Sequence, residues 1–102
     1  MLKVLVFLLV LTPIAAMADT YNVGVKYSFP PGVMYCEGGS IENQVEMLDA
    51  GVNARVDGCY KTKRGFDMKL IKNFPDLGYS KWIIIIDDTL GATYYLPNSL
   101  LL

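Results

Sequence analysis

Two cysteines, Cys36 and Cys59, constrain the fold of this chain more than any other feature of its sequence. In an exported protein an even number of cysteines indicates disulfide formation, and two cysteines allow one intramolecular pairing. Their positions differ by 59 − 36 = 23, and closing a loop of this length stabilises a fold by about 3.5 kcal/mol in the chain-entropy model. A redox-active pair is the alternative, although such pairs usually have the Cys-x-x-Cys spacing. We therefore predict a structural disulfide.

The N-terminus carries the pattern of an export signal. Lys3 precedes an apolar stretch that begins at Val4 and is interrupted at Pro13, and Ala16-Met17-Ala18 has small residues at the two positions that a signal peptidase reads. We predict that residues 1–18 are a signal peptide, because the stretch is shorter than the roughly 20 apolar residues that span a membrane. An uncleaved membrane anchor is the alternative. The protein is then expected to be periplasmic or secreted, without stable membrane insertion once the signal is removed.

Residues 19–102 are expected to form one domain of 84 residues. This part has 9 − 1 = 8 basic and 10 acidic residues, a net charge of −2, which argues against a nucleic-acid partner. Seven Tyr, three Phe and one Trp exclude a disordered chain. A domain of this size buries only about 60 to 65% of its unfolded surface, so a disulfide would contribute much of its stability.

Alternation of apolar and polar residues predicts a strand from Tyr21 to Phe29, which Pro30-Pro31-Gly32 ends. Residues 33–36 are predicted only as a lead into a Glu37-Gly38-Gly39 hinge. Val52, Ala54 and Val56 alternate with polar residues and predict a second strand over 52–57.

A third strand is predicted over 66–70, where the alternation breaks at Ile71, and residues 73–80 are predicted to form a loop. The apolar run Trp82–Ile86 is typical of a central strand covered on both faces. Asp87 to Gly91 predicts a hairpin connection in which the glycine supplies a positive φ, followed by a strand over 92–96.

A short amphipathic helix is predicted between the cysteines. Ser40 is placed as its N-cap, Ile41, Val45 and Leu48 recur at helical spacing, and Gly51 lies where glycine favours a helix end. A parallel stripe of acidic residues follows one position later: Glu42, Glu46 and Asp49.

The end of the chain resembles a small SH3-like barrel of the bacterial type. Trp82 opens an apolar strand, an acidic turn ends at Gly91, an aromatic strand follows, and a Pro-Asn-Ser-Leu turn at 97–100 closes the segment. The likeness extends over residues 52–102 and implies a barrel-like fold without assigning functional residues. The chain departs from that pattern in its helix and disulfide, and in lacking the Gly-Trp pair of the last strand. We predict an α+β fold with one short amphipathic helix packed on an antiparallel β meander or small SH3-like barrel.

The sequence contains no histidine, which removes Ser-His and Cys-His nucleophile pairs and histidine-based metal sites. We predict no catalytic residue, no metal ligand, no cofactor and no enzymatic activity. Asp87 and Asp88 form an adjacent acidic pair that could bind a cation or serve hydrolysis, but aspartates also favour turns for their own hydrogen bonds. A small hydrolase using Asp67, Asp87 or Asp88 is the less favoured alternative.

Basic residues gather after Cys59, whereas five of the acidic residues lie between 37 and 57. One interpretation is a solvated helix face and a lysine-protected strand edge. The other is a basic strip that meets an anionic envelope polymer or an acidic partner surface. Tyr94 and Tyr95 are adjacent and must face opposite sides of their predicted strand, so one of the two rings can be exposed. The predicted interaction surface is Lys61, Lys63, Arg64, Lys69, Tyr94 and Tyr95.

These patterns together predict an exported, non-enzymatic binding protein whose partner is a protein or an envelope polymer. An inhibitor of a cell-wall-degrading enzyme is the alternative, since disulfide-stapled β domains of this size can block an active site with a loop. The segment from Asp76 to Ser80 is the candidate for such a loop.

Overall fold

The computed structural model describes residues 21–101, and the predicted signal peptide at 1–18 lies outside the described residues. The described part contains a single α-helix and six β-strands that form one antiparallel sheet, so the predicted α+β class is confirmed. In chain order the elements are β1 (Lys26–Phe29), β2 (Met34–Cys36), α1 (Ile41–Asp49), β3 (Cys59–Lys61), β4 (Phe66–Phe74), β5 (Tyr79–Ile86) and β6 (Thr89–Pro97).

The sheet is curled rather than flat. Its strand order is β1-β4-β5-β6-β2-β3, so β1 and β2 are separated by three strands although only residues 30–33 connect them. Four interstrand spacings span about 19 Å in a flat sheet, whereas the five Cα steps of this connection reach at most about 17 to 18 Å. Residues 62–65, which connect β3 to β4, are also too few to span the four interstrand spacings of a flat sheet. Because β1 and β3 remain edge strands, the SH3-like barrel stays a prediction.

Alternation along the strands gives the sheet two apolar faces, each with its own cluster of buried side chains. Trp82 of β5 lies fully buried at the centre of the first cluster, where Tyr21, Tyr27 and Phe29 surround its ring at centroid distances of 5.0 to 6.1 Å. The second cluster lies on the other face beneath the helix. The first cluster is Phe29, Met68, Leu70, Trp82, Leu96 and Leu101; the second is Met34, Cys36, Ile41, Cys59 and Tyr79.

The predicted disulfide between Cys36 and Cys59 is confirmed. It joins β2 to β3 at a position where the two cysteines are also register partners in the antiparallel ladder. Both residues are buried, at 0% and 1% exposed. The bond therefore fixes a two-stranded unit of only three residues per strand, which would be marginal by itself.

The helix lies where the sequence predicts it, but its two ends behave differently. A 3-10 turn at Gly38–Ser40 leads into it, and the Ser40 side chain makes no capping hydrogen bond. At the other end Gly51 has a φ of +83°, and the amides of Gly51 and Val52 donate to the carbonyls of Leu48 and Met47. This is a Schellman motif, which explains why glycine is required there.

The predicted strand over residues 52–57 is wrong. The segment is a loop without ladder partners, because a helix side chain takes its backbone groups. Gln44 Nε2 donates to the Ala54 carbonyl at 3.0 Å, and the Val56 amide donates to Gln44 Oε1 at 2.9 Å. Conversely, residues 34–36, expected to be only a lead into a hinge, form β2.

The first strand is shorter than predicted and begins at Lys26. Gly24, with a φ of +86°, reverses the chain so that the Val25 amide donates to the Asn22 carbonyl. This turn folds Tyr21 back over the first cluster and leaves Val23 62% exposed. The alternation in 21–25 therefore reflects a packed turn rather than a continuous strand.

The break in alternation at Ile71 is a β-bulge, since the β4–β5 register shifts between Leu70 and Lys72. Beyond the bulge β4 continues to Phe74, so the predicted loop over 73–80 shrinks to a 3-10 turn at Pro75–Leu77 followed by Gly78. Gly78 adopts a left-handed conformation with φ +82°. The extra residue of the bulge hid the second half of the strand in the sequence pattern.

The hairpin between β5 and β6 is tighter than predicted. Its turn consists of Asp87 and Asp88, whose φ values of 51° and 62° are both positive, as in a type I′ turn. Gly91 does not supply the positive φ; it lies within β6, where a Cβ would come within 2.7 Å of Ile84 Cγ2. The run Trp82–Ile86 is covered unevenly, since Trp82 is buried, Ile83 to Ile85 are partly buried and Ile86 is 46% exposed.

The final turn is confirmed. Pro97 ends β6, a 3-10 turn spans Asn98–Leu100, and Leu101 is buried in the first cluster at 2% exposed.

Removal of the disulfide should strongly destabilise the domain. We expect the Cys36→Ala/Cys59→Ala protein to melt at least about 10 °C lower than the oxidised protein, because the cross-link contributes about 3 kcal/mol. Circular dichroism melts with and without reductant measure this difference. An unchanged melting temperature in either comparison would show that the disulfide does not stabilise the domain.

Replacing Asp88, which has a positive φ, by glycine should stabilise the hairpin. Glycine adopts positive φ without steric cost, so Asp88→Gly should raise the free energy of unfolding by about 0.5 kcal/mol. Urea denaturation of the two proteins measures the change. A less stable Asp88→Gly protein would show that the Asp88 side chain contributes a contact that outweighs the strain.

Candidate functional site

A groove opens on the face of the sheet that carries the first cluster. Its apolar part has a volume of about 320 Å³ and is lined by β2, β4, β5, β6 and the β3–β4 loop. The lining residues come from the four contiguous strands β4, β5, β6 and β2 and from the loop between β3 and β4. They are Tyr35, Thr62, Arg64, Phe66, Met68, Ile84, Ile86, Ala92 and Tyr94.

A second depression of about 470 Å³ continues this groove toward the edge strand β3. It shares Tyr35, Thr62, Arg64 and Phe66 with the first. The residues that it adds are Arg55, Tyr60, Lys61 and Lys63. Lys61 lies on the edge strand, is the register partner of Met34 in the second cluster, and also lines a depression on that other face. We refer to the two depressions together as the aromatic–basic groove.

Four aromatic rings form the body of the groove. Tyr35 contacts Tyr94 edge-on at a centroid distance of 4.9 Å and Tyr60 at 5.6 Å. Phe66 lies beneath the guanidinium of Arg64, whose Cζ is 5.0 Å from the ring centroid. Tyr60 is the most open of these rings, at 41% exposed, so a ligand can reach a ring face as well as the ring edges.

The charge in the groove has one sign. Arg55, Lys61, Lys63 and Arg64 all line it, and no Asp or Glu is among the lining residues. Within residues 21–101 the recorded ion pair joins Lys26 and Asp67, outside this region. The four basic groups of the groove make no ion pair with described residues, and the nearest carboxylates, Asp67 and Asp87, share only the adjoining depression with Arg64.

Burial raises the pKa of Tyr35 above its ordinary value of 10.0, and the neighbouring Tyr94, Tyr60 and Glu37 add to the effect. The Tyr35 hydroxyl therefore stays protonated as a hydrogen-bond donor at neutral pH. Its raised pKa also links the stability of the groove to alkaline pH.

Four of the six predicted interaction residues come together in the groove: Lys61, Lys63, Arg64 and Tyr94. Lys69 does not join them, because it neighbours Met68 on β4 and so points to the opposite face. Tyr95 likewise faces the second cluster, where its ring lies 5.5 Å from that of Tyr79. The structure thus divides the predicted surface between two faces of the sheet.

Sequence reasoning missed Arg55, Tyr35, Tyr60 and Phe66 as groove residues. One signal was present: each of the two missed tyrosines adjoins a cysteine, Tyr35 before Cys36 and Tyr60 after Cys59. In an antiparallel pair that is cross-linked at the cysteines, these neighbours are opposite each other, and the register pairs them.

The acidic residues named for a hydrolase occupy the region of the β5–β6 turn. Asp67 accepts a 2.6 Å hydrogen bond from Ser28 Oγ and lies 3.9 Å from Lys26 Nζ. Asp67 and Asp87 line one shallow depression with Arg64, and Asp88 is outside it. The described part of the chain holds no group of three or more His, Cys, Asp or Glu residues placed to bind a metal ion.

The loop named for an inhibitor is largely packed. Tyr79 and Ser80 are buried in β5, at 7% and 0% exposed, and Ser80 accepts a 2.8 Å hydrogen bond from the Trp82 indole. The exposed residues of that segment are Asp76 and Leu77, which belong to the 3-10 turn Pro75–Leu77.

Across residues 21–101, none of the helical structure has both the length and the apolar character needed to cross a bilayer.

Comparison of the chain with protein-family models, with curated proteins and with solved structures found no match. The groove must therefore be interpreted from its own geometry and chemistry.

The raised pKa of Tyr35 predicts a loss of stability at alkaline pH. Because the unfolded state releases this proton near pH 10 and the folded state only at higher pH, the stabilisation is complete below about pH 10 and falls as pH rises through the folded pKa. Tyr35→Phe should lose less stability than the wild type between about pH 9 and 12. Urea denaturation across this range measures it, and identical pH profiles would contradict the assignment.

Proposed function

We propose that this chain is a non-enzymatic binding protein whose aromatic–basic groove holds a segment of an anionic polysaccharide. The observation that carries the proposal is the composition of the groove: four basic side chains and four aromatic rings on one open surface, with no carboxylate among the lining residues.

The basic groups support an anionic ligand. Arg55 and Arg64 each offer a planar set of donors that matches a carboxylate or phosphate, and Lys61 and Lys63 add mobile positive charge. Half of the eight basic residues in the described chain lie in this groove. Such a concentration attracts anions even though the chain as a whole is slightly acidic.

The aromatic rings support a ligand built from sugars. Tyrosine combines a large apolar surface with a hydroxyl that can donate or accept a hydrogen bond. Sugar rings have the same combination, with apolar C–H faces and hydroxyls at the rim. Tyr35, Tyr60 and Tyr94 place three such side chains together.

The length and charge of the groove favour a polymer with sparse charge. The two depressions are continuous through four shared residues, so they can accept several linked sugars. Nucleic acid is disfavoured because its charge is dense, one phosphate per roughly 1.7 Å of duplex axis. A densely charged polyanion would also be repelled by the rest of the chain. The predicted mature chain has a net charge of −2, and the exposed face of its helix carries Glu42, Glu46 and Asp49.

The proposed location agrees with this ligand. A protein that is periplasmic or secreted meets charged polysaccharides of the envelope and its surroundings. The predicted signal peptide at 1–18 and the disulfide, which persists in oxidising compartments, support that location.

Calorimetric titration with polygalacturonate, which carries one carboxylate per sugar, tests the proposal. Neutral dextran and a double-stranded DNA oligonucleotide serve as comparison ligands. We expect binding to polygalacturonate that weakens as salt is added, no binding to dextran, and weaker binding to DNA. Equal or tighter binding to DNA, or no binding to polygalacturonate, would overturn the proposal.

Charge reversal within the groove provides the matched test. Lys63→Glu/Arg64→Glu should weaken polygalacturonate binding by at least about tenfold, since it replaces two attractions by repulsions. Lys69→Glu/Lys72→Glu on the opposite face changes the net charge by the same amount and should weaken binding by less than about threefold. Equal losses from both faces would show that net charge, rather than the groove, controls binding.

A further inference from the structure

Gln44 is a fully buried polar side chain in the middle of the helix, at 0% exposed. It follows Ile41 by three positions and so shares the apolar side of α1. Both ends of its amide are used: Nε2 donates to the Ala54 carbonyl and Oε1 accepts from the Val56 amide. A buried amide satisfied in this way usually specifies one arrangement of its surroundings.

The two backbone groups held by Gln44 are those on either side of Arg55. Residues 52–57 have no ladder partner, so this side chain replaces the hydrogen bonds that a strand would have made. Arg55 itself is exposed and lines the basic half of the groove beside Tyr60 and Lys61. The helix thereby controls where a groove residue from another segment lies.

We propose that Gln44 is a positioning residue that fixes Arg55 at the ligand-binding surface of the aromatic–basic groove. This inference rests on the proposed function of the groove. Moving the loop away would leave the buried amide unsatisfied, so the hydrogen bonds favour the arrangement in which Arg55 faces a ligand. Gln44 does not contact the ligand; it acts through the backbone of residues 54–56.

Two variants separate positioning from general stability. Gln44→Met keeps the length and volume of the side chain and removes both hydrogen bonds. Val45→Ala is the control, because Val45 is the next helix residue and lies against Gly78 rather than holding the loop. Should Gln44→Met fail to fold, Gln44→Asn retains an amide that is one methylene too short to reach both loop groups.

The first measurement is amide hydrogen exchange of Val56 by NMR, with Ile84 of β5 as an internal reference. Gln44→Met should speed exchange at Val56 by about tenfold relative to Ile84, whereas Val45→Ala should leave the ratio unchanged. An unchanged ratio in Gln44→Met would overturn the inference while leaving polysaccharide binding by the groove intact.

The second measurement is a double-mutant cycle on polygalacturonate affinity. Arg55→Ala should weaken binding about fivefold, Gln44→Met should weaken it by a similar factor, and the double variant should be no weaker than Arg55→Ala. Independent losses that multiply in the double variant would overturn the inference, because Gln44 would then act without Arg55.

The two measurements distinguish failure of this inference from failure of the proposed function. If the wild-type protein does not bind polygalacturonate, the proposed function fails and Arg55 loses its ligand role, even where Val56 exchange shows that Gln44 holds the loop. If the wild type binds and Gln44→Met binds equally well, the positioning role alone is overturned.

Discussion

The disulfide between Cys36 and Cys59 is the bond on which the rest of the structure depends. It joins β2 to β3, the strands at one end of the sheet order, where each strand has only three residues. So short a pair gains few ladder hydrogen bonds against the conformational entropy that it loses on folding, and an isolated pair of this kind is marginal. The cross-link restricts the unfolded chain instead, and the helix between the two cysteines is held against the sheet as a result.

The groove is a direct consequence of that link and of the curl in the sheet. Tyr35 and Tyr60 adjoin the cysteines and face the surface opposite the second cluster, so the disulfide sets the position of both rings. Tyr94 lies on the neighbouring strand β6, and the curl brings Phe66 of β4 to the same groove. The helix contributes at a distance through Gln44, which holds the loop that carries Arg55. The same few interactions therefore stabilise this small domain and position the basic residues of the groove.

The sequence was sufficient to predict the elements whose signals are local. The disulfide, the helix from Ile41 and the final turn that buries Leu101 all agree with the structure. Predictions failed where a tertiary contact replaced the local pattern: a glutamine side chain substitutes for a ladder at 52–57, and a bulge at Ile71 hides half of β4. For the site, clustering of Lys61, Lys63 and Arg64 was visible in the sequence. It was also visible that Tyr94 and Tyr95 face opposite sides of their strand. Which of the two joins the basic residues, and that Lys69 does not, depends on a register that only the assembled sheet defines.

Amide hydrogen exchange of the oxidised and reduced protein at about 10 °C, resolved by residue, tests most directly whether the disulfide holds the β2–β3 unit and with it the groove. We expect that reduction removes protection from the amides of β2 and β3 and from Val56, while the amides at the centre of β4, β5 and β6 remain protected. Retained protection in β2 and β3 after reduction, or an equal loss across the whole sheet, would contradict it.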